Sequence, residues 1–159
     1  GVLMLIEERA QGPFVYLTKR ASHLKHHPGQ IAFPGGKTDP TDADQIDTAL
    51  READEEIGLP RTHVKVLGQL ASHETVTGFQ VKPVVGLLTR PFDPILERAE
   101  VDELFRVPLH HVLNPQNFSV EGRVWNGVMR KYYAVPFGPY YIWGATARML
   151  FGLAQKVSV

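Results

Sequence analysis

Residues 33–59, FPGGKTDPTDADQIDTALREADEEIGL, constrain this chain more than any other stretch. Their second half has helical periodicity, with Ile46, Ala49, Leu50, Ala53 and Ile57 forming one apolar stripe. Glu52, Glu55 and Glu56 follow the i, i+3, i+4 pattern, so their carboxylates share another face. At about 100° per residue that face lies roughly a quarter turn from the stripe, with Asp47 and Asp54 pointing to solvent. Like charges at this spacing each destabilise a helix by about 0.2–0.5 kcal/mol. A hard divalent cation relieves the repulsion, because Mg²⁺ prefers carboxylate oxygens and shares its shell with water and phosphate. The same spacing also describes a solvated acidic face. Phe33-Pro34-Gly35-Gly36 just upstream lets the backbone turn sharply and approach the helix.

The combination resembles the Nudix box, G-x5-E-x7-R-E-U-x-E-E-x-G-U. Gly36 opens it, and residues 51–59 (READEEIGL) match its second half fully, with Ala53 and Leu59 at the apolar positions. The first half departs twice: Asp42 stands where the family has Glu, and eight residues instead of seven precede Arg51. Residues 17–36, LTKRASHLKHHPGQIAFPGG, resemble a second signature, L-L-T-x-R-[SA]-x3-R-x3-G-x3-F-P-G-G, of the coenzyme A pyrophosphatase branch. Tyr16 replaces its first Leu, and Lys25 replaces its second Arg, which keeps the charge and loses the bidentate fork. Without any family, Lys19, Arg20 and Lys25 form a basic cluster beside an acidic helix. That pairing suits a phosphate held between cations and metal, or else a solvated basic loop.

Three apparent motifs are set aside. Gly36-Lys37-Thr38 lacks the first glycine of a P-loop, since Ile31 stands there. His23, His26 and His27 have no carboxylate or cysteine at a zinc-ligand spacing. Asn117-Phe118-Ser119 is a sequon of the kind that arises by chance.

Along the rest of the chain, residues 2–6 and 14–18 read as strands around a turn at Gly12-Pro13, and 63–72 and 79–88 as two more. Gly58-Leu59-Pro60 stops the central helix. Pro83 predicts an edge or a break in its strand. The stretch from His73 through Thr75-Val76-Thr77-Gly78-Phe79 resembles the family's T-x-x-G-F/Y. Residues 98–105 and 107–113 read as short helices, in a stretch similar to the family's E-V-x-x-V/L-F-x-V-P-L. Asn126-Gly127 predicts a hairpin between 118–125 and 128–137. Within residues 140–156, Trp143, Ala147, Leu150, Phe151 and Ala154 mark the buried face of a last helix. Ile142-Trp143-Gly144-x-Thr146-Ala147 also matches the branch's I-W-G-x-T-A; its aromatics read as core, with adenine stacking the alternative.

Composition narrows the classes. The 159 residues, with no repeat or linker, read as one domain spanning 1–159. Lys+Arg and Asp+Glu number 17 each, so charge gives no sign of a nucleic-acid or membrane partner. No cysteine is present, which removes disulfides and thiolate zinc sites and fits a cytoplasmic location. No apolar run approaches the length of a membrane span.

The resemblance implies an α/β fold, the Nudix α/β/α sandwich around a mixed sheet. It implies hydrolysis of the diphosphate of coenzyme A or a derivative to 3′,5′-ADP and 4′-phosphopantetheine, by a monomer or homodimer. Mg²⁺ or Mn²⁺ would be held by Glu52, Glu55 and Glu56, with the Gly35 carbonyl near. Substrate would meet Arg20, Lys25, Lys19, Gly35 and Gly36. Glu52 is the first choice of general base and Glu100 the second, with Glu103 a further downstream acid and Arg51 orienting Glu55. The alternatives are a Nudix hydrolase of another nucleoside diphosphate derivative, such as ADP-ribose or a dinucleotide polyphosphate, and a non-catalytic nucleotide-binding module. All three box glutamates are present, which argues against the latter.

Overall fold

A computed structural model describes residues 1–75 and 78–157. Val76 and Thr77, in the stretch singled out between Thr75 and Phe79, lie outside them. In chain order the elements are β1 (Val2–Arg9), β2 (Gly12–Arg20), β3 (Ile31–Ala32), α1 (Gln45–Ile57), β4 (Val64–Gln69), β5 (His73–Glu74), β6 (Gln80–Val81), β7 (Pro83–Leu88), β8 (Val101–Pro108), α2 (Leu109–Val112), β9 (Ser119–Trp125), β10 (Val128–Ala134) and α3 (Ala145–Val157).

Six strands form a mixed sheet in the order β3-β2-β1-β7-β4, with β8 also on β2. Only β1 and β7 run parallel; the other pairs are antiparallel. Because β8 follows β2 from Phe14 to Arg20, β1 and β3 must share the opposite edge of β2. Thus β1 pairs with β2 only through Ile6–Arg9, and the chain leaving β3 lies beside the start of β1. Leu3 N–H donates to Pro34 O, and Gly36 N–H to Gly1 O. This wedge carries Gly35 and Gly36 into the gap between two strands.

Strand alternation splits the core. Leu3, Leu5 and Tyr16 pack under α1 with Ala49, Ala53 and Ile57. Met4, Val15 and Leu17 pack on the other face with Ala147, Met149 and Leu150 of α3. The result is the expected α/β/α sandwich. Asp44 caps α1 by accepting from Asp47 N–H at 2.8 Å, a contact worth about 1 kcal/mol. Gly58, at φ 72°, ends the helix in the left-handed conformation. Asp47 is turned from solvent to Arg61, at 2.6 Å. No helix among the described residues is long and apolar enough to cross a membrane.

Several expectations are corrected. The expected helix at 98–105 is a turn followed by β8, because Val101, Glu103, Leu104 and Phe105 pair with β2 and that ladder outweighs the local preference of the segment's acids and leucine. The helix at 107–113 shrinks to the single turn α2. Pro83 breaks 79–88 into β6 and β7 and begins an internal strand, where no ladder N–H is lost within the run. The first hairpin turns at Ala10-Gln11, and Gly12 already belongs to β2. Trp143 precedes α3 and bridges Ala134. The Asn126-Gly127 hairpin forms as expected, with φ of 50° and 76° at its two turn residues.

Candidate active site

Helix periodicity places Glu52 and Glu56 one turn apart on the side of α1 facing the glycine wedge. Each of Glu52, Glu56 and Glu100 offers a carboxylate oxygen, and the three lie within 4.8 Å of one another. Glu100 comes from the turn before β8. Two bonds to the end of α1, Glu97 N–H to Glu56 O and Ile95 N–H to Ile57 O, tie that turn down. Glu100 O in turn accepts from Ala21 N–H at the end of β2.

Glu56 is 8% exposed. Burial, then the charges of Glu52 and Glu100, push its carboxyl up to about 8, against a hydrogen bond from Gly35 N–H and the charge of Arg20. Burial also raises Glu52. Gly36 lies so close that a β-carbon there would sit 2.6 Å from the Glu52 carboxyl carbon and would push that carboxylate aside.

Arg51 is the hub on the other side. Its Nε donates to Asp42 Oδ1 at 2.8 Å and its Nη2 to Asp42 Oδ2 at 3.0 Å, a bidentate pair. Its Nη1 reaches Glu52 and Glu55, each at 3.2 Å. The Asp42 side chain is enclosed, and the Arg51 guanidinium, the Asp39 N–H and the Thr48 hydroxyl hold its carboxyl well below the usual range. The shorter Asp side chain therefore still reaches the arginine despite the longer loop. Its signal in the sequence was the five-residue interval after Gly36; Thr48, which supports it, gave none. Glu55 is largely exposed and, held by Arg51, lies outside the group of three.

The basic residues separate. Alternation along β2 sends Arg20 to the α1 face and Lys19 to the α3 face, where Lys19 pairs with Glu103 at 3.8 Å. Arg20 Nε is enclosed with no hydrogen-bond partner among the described residues. Lys25, with His23, His26 and His27, is exposed in the loop after β2. Of the aromatics before α3, Tyr140 is half-buried against the α3-side core as expected, whereas Trp143 is half-buried outside it and Tyr141 is 46% exposed, which corrects the expectation for those two.

Three clustered carboxylates, one deeply buried, form an all-oxygen donor set that fits Mg²⁺ or Mn²⁺ and lacks the nitrogen or sulfur that zinc prefers. The NUDIX domain family model matches residues 1–125. The Nudix hydrolase NudL of Yersinia enterocolitica is 42% identical over 147 residues, which are 92% of this chain and 75% of that protein. Among solved structures, the Nudix hydrolase RenU of M. smegmatis superposes with TM-score 0.58 at 27% identity, over 70% of each chain. An Ap4A hydrolase of C. elegans, in a binary complex, gives TM-score 0.59 at 20% identity, over 69% of this chain and 79% of that one, a likeness of fold.

Proposed function

The chain belongs to the Nudix domain family, and on that premise we propose that it hydrolyses the diphosphate of coenzyme A or a derivative. The convergence of Glu52, Glu56 and Glu100 beside Gly35-Gly36 and Arg20 carries the hydrolytic part of this reading. The 17–36 signature supports the coenzyme A part.

Mg²⁺ or Mn²⁺, when bound, supplies Lewis acidity to the diphosphate and to the attacking water. Glu52, Glu56 and Glu100 would hold it, with Glu55 at the rim on the Arg51 side. Water adds to one phosphorus, the bond from that phosphorus to the bridging oxygen breaks, and two phosphate monoesters leave, 3′,5′-ADP and 4′-phosphopantetheine. Glu52 takes the water's proton: its carboxyl is raised by burial, and Arg51 and Gly36 fix where it sits. Glu100 is the second choice of base. Arg51 is a positioning residue, its charge already shared among three carboxylates. Arg20, whose Nε has no hydrogen-bond partner among the described residues and whose Nη2 makes one long bond to His26 O at 3.4 Å, would turn its guanidinium to a phosphate oxygen. Lys25 extends the positive loop.

Mass spectrometry of products from coenzyme A, ADP-ribose and diadenosine polyphosphates, with Mg²⁺ and with Mn²⁺, tests the reading. Cleavage of coenzyme A to the two monoesters at the highest kcat/KM is the expected result. Preference for another substrate would leave the hydrolase and remove the coenzyme A assignment.

A further inference from the structure

A groove of about 380 Å³ opens on the α3 face of the sheet, lined by Lys19, Glu103, Tyr140, Tyr141 and Trp143 among others. It is built from the strand ends that hold the catalytic groups: Lys19 adjoins Arg20 on β2, and Glu103 follows Glu100 by three residues. Residues adjacent in a strand are about 3.8 Å apart at Cα and point to opposite faces. The carboxylate group and the groove therefore lie on opposite faces at the same end of β2 and β8.

Its lining has a specific chemistry. Tyr140 stacks flat on Phe105, centroids 3.6 Å apart at 4°, which fixes its ring as a rigid wall. Trp143 is braced edge-on by Tyr132 at 5.0 Å, and the Arg123 guanidinium lies 5.3 Å from its ring centre. Tyr141 lies 6.4 Å from Trp143 at 28°. Lys19 Nζ pairs with Glu103 Oε2 at 3.8 Å and the Tyr140 hydroxyl donates to Glu103 Oε1 at 3.4 Å, which sets a cation and a carboxylate side by side at the groove's edge. Rigid aromatic walls with a paired donor and acceptor suit a flat heteroaromatic ring with polar edges, and the flanking cations suit its phosphate. A flexible amide chain would gain little from such walls.

We propose that this groove is the subsite for the adenine nucleotide half of the substrate, with Tyr141 and Trp143 as its stacking surface and Lys19 and Glu103 at the edge of the base. The proposal rests on the diphosphate hydrolase reading and deepens it by saying which half of the molecule lies on which face.

The chain has two tryptophans, and Trp125, at the far end of the β9–β10 hairpin, takes no part in the groove. Trp125→Phe therefore leaves Trp143 as the sole reporter. Titration of that protein with AMP and 3′,5′-ADP should quench its fluorescence saturably, whereas 4′-phosphopantetheine should not. Trp143→Leu should raise KM for the preferred adenine-containing substrate about 10- to 100-fold with kcat within about twofold. Trp143→Phe, which keeps a smaller ring, should fall between and guards against misfolding. Lys19→Met should weaken AMP binding in the Trp125→Phe background. Quenching by 4′-phosphopantetheine alone would assign the groove to the other half and overturn the proposal, as would no quenching by either. If coenzyme A is not cleaved yet AMP quenches Trp143, the substrate assignment fails and the subsite stands; if coenzyme A is cleaved with KM unmoved in Trp143→Leu, the subsite fails alone.

Discussion

Replacing Glu56 by Gln should stabilise the metal-free protein and erase one component of its pH dependence. The side chain is 8% exposed, and burial beside Glu52 and Glu100 moves its carboxyl from 4.5 to about 8. Between those values the folded protein holds a proton that the unfolded chain has released. Stability therefore falls as pH rises: the contribution is full below 4.5 and lost by the time pH passes about 8. At about 1.4 kcal/mol per pH unit, the whole span amounts to about 5 kcal/mol, of which about 3 is lost by pH 7. Glutamine keeps the shape and takes no proton. Relative to wild type, the variant should gain about 3 kcal/mol between pH 4.5 and 7, which for a chain of this size is about 6–12 °C in Tm. Urea and thermal unfolding in EDTA across pH 4.5–8 would measure the difference. With Mg²⁺ added, wild type should recover stability and the variant should not, and hydrolysis by the variant should be abolished. Parallel pH profiles for the two metal-free proteins would refute the reasoning, because they would mean that Glu56 carries its charge at no cost.

Three further outcomes follow from the same geometry. Gly36→Ala places a methyl group 2.6 Å from the Glu52 carboxyl carbon, the end of a flexible side chain; kcat should fall about 100-fold while Tm barely moves, and a loss in Tm alone would detach Gly36 from the site. Asp42→Asn removes the bidentate partner of Arg51. The wild-type carboxyl is held below its usual range, so its stabilisation is present above the unfolded value of 3.8 and lost as pH falls through the lower folded one; the variant should melt earlier at pH 7 and show a flatter acid limb by circular dichroism, and equal melting of the two at pH 7 would contradict the pairing. Arg20→Ala should weaken substrate by about 1.5–3 kcal/mol, read in KM, and less for dephospho-coenzyme A if Arg20 meets the 3′-phosphate; a lower Tm with kcat/KM within about twofold would make Arg20 structural.

Helical periodicity alone put Glu52, Glu55 and Glu56 on one face, because the angle between residues in a helix is set by the backbone and not by its surroundings. The apolar stripe, the stop at Gly58 and the turn at Asn126-Gly127 were legible for the same local reason. Periodicity could not say which of those glutamates would meet a third carboxylate. Glu100 reaches Glu52 and Glu56 only because β8 pairs with β2 and the preceding turn bonds to the end of α1, contacts between residues far apart in the chain. The acid-rich run that reads locally as a helix became a strand through that same pairing. Lys19 and Arg20, adjacent in the sequence as one basic cluster, were divided between two faces once β2 ran on to Arg20. The helix face was a matter of local geometry, whereas the third carboxylate and the side of the sheet each cation serves were decided by which strands lie next to one another.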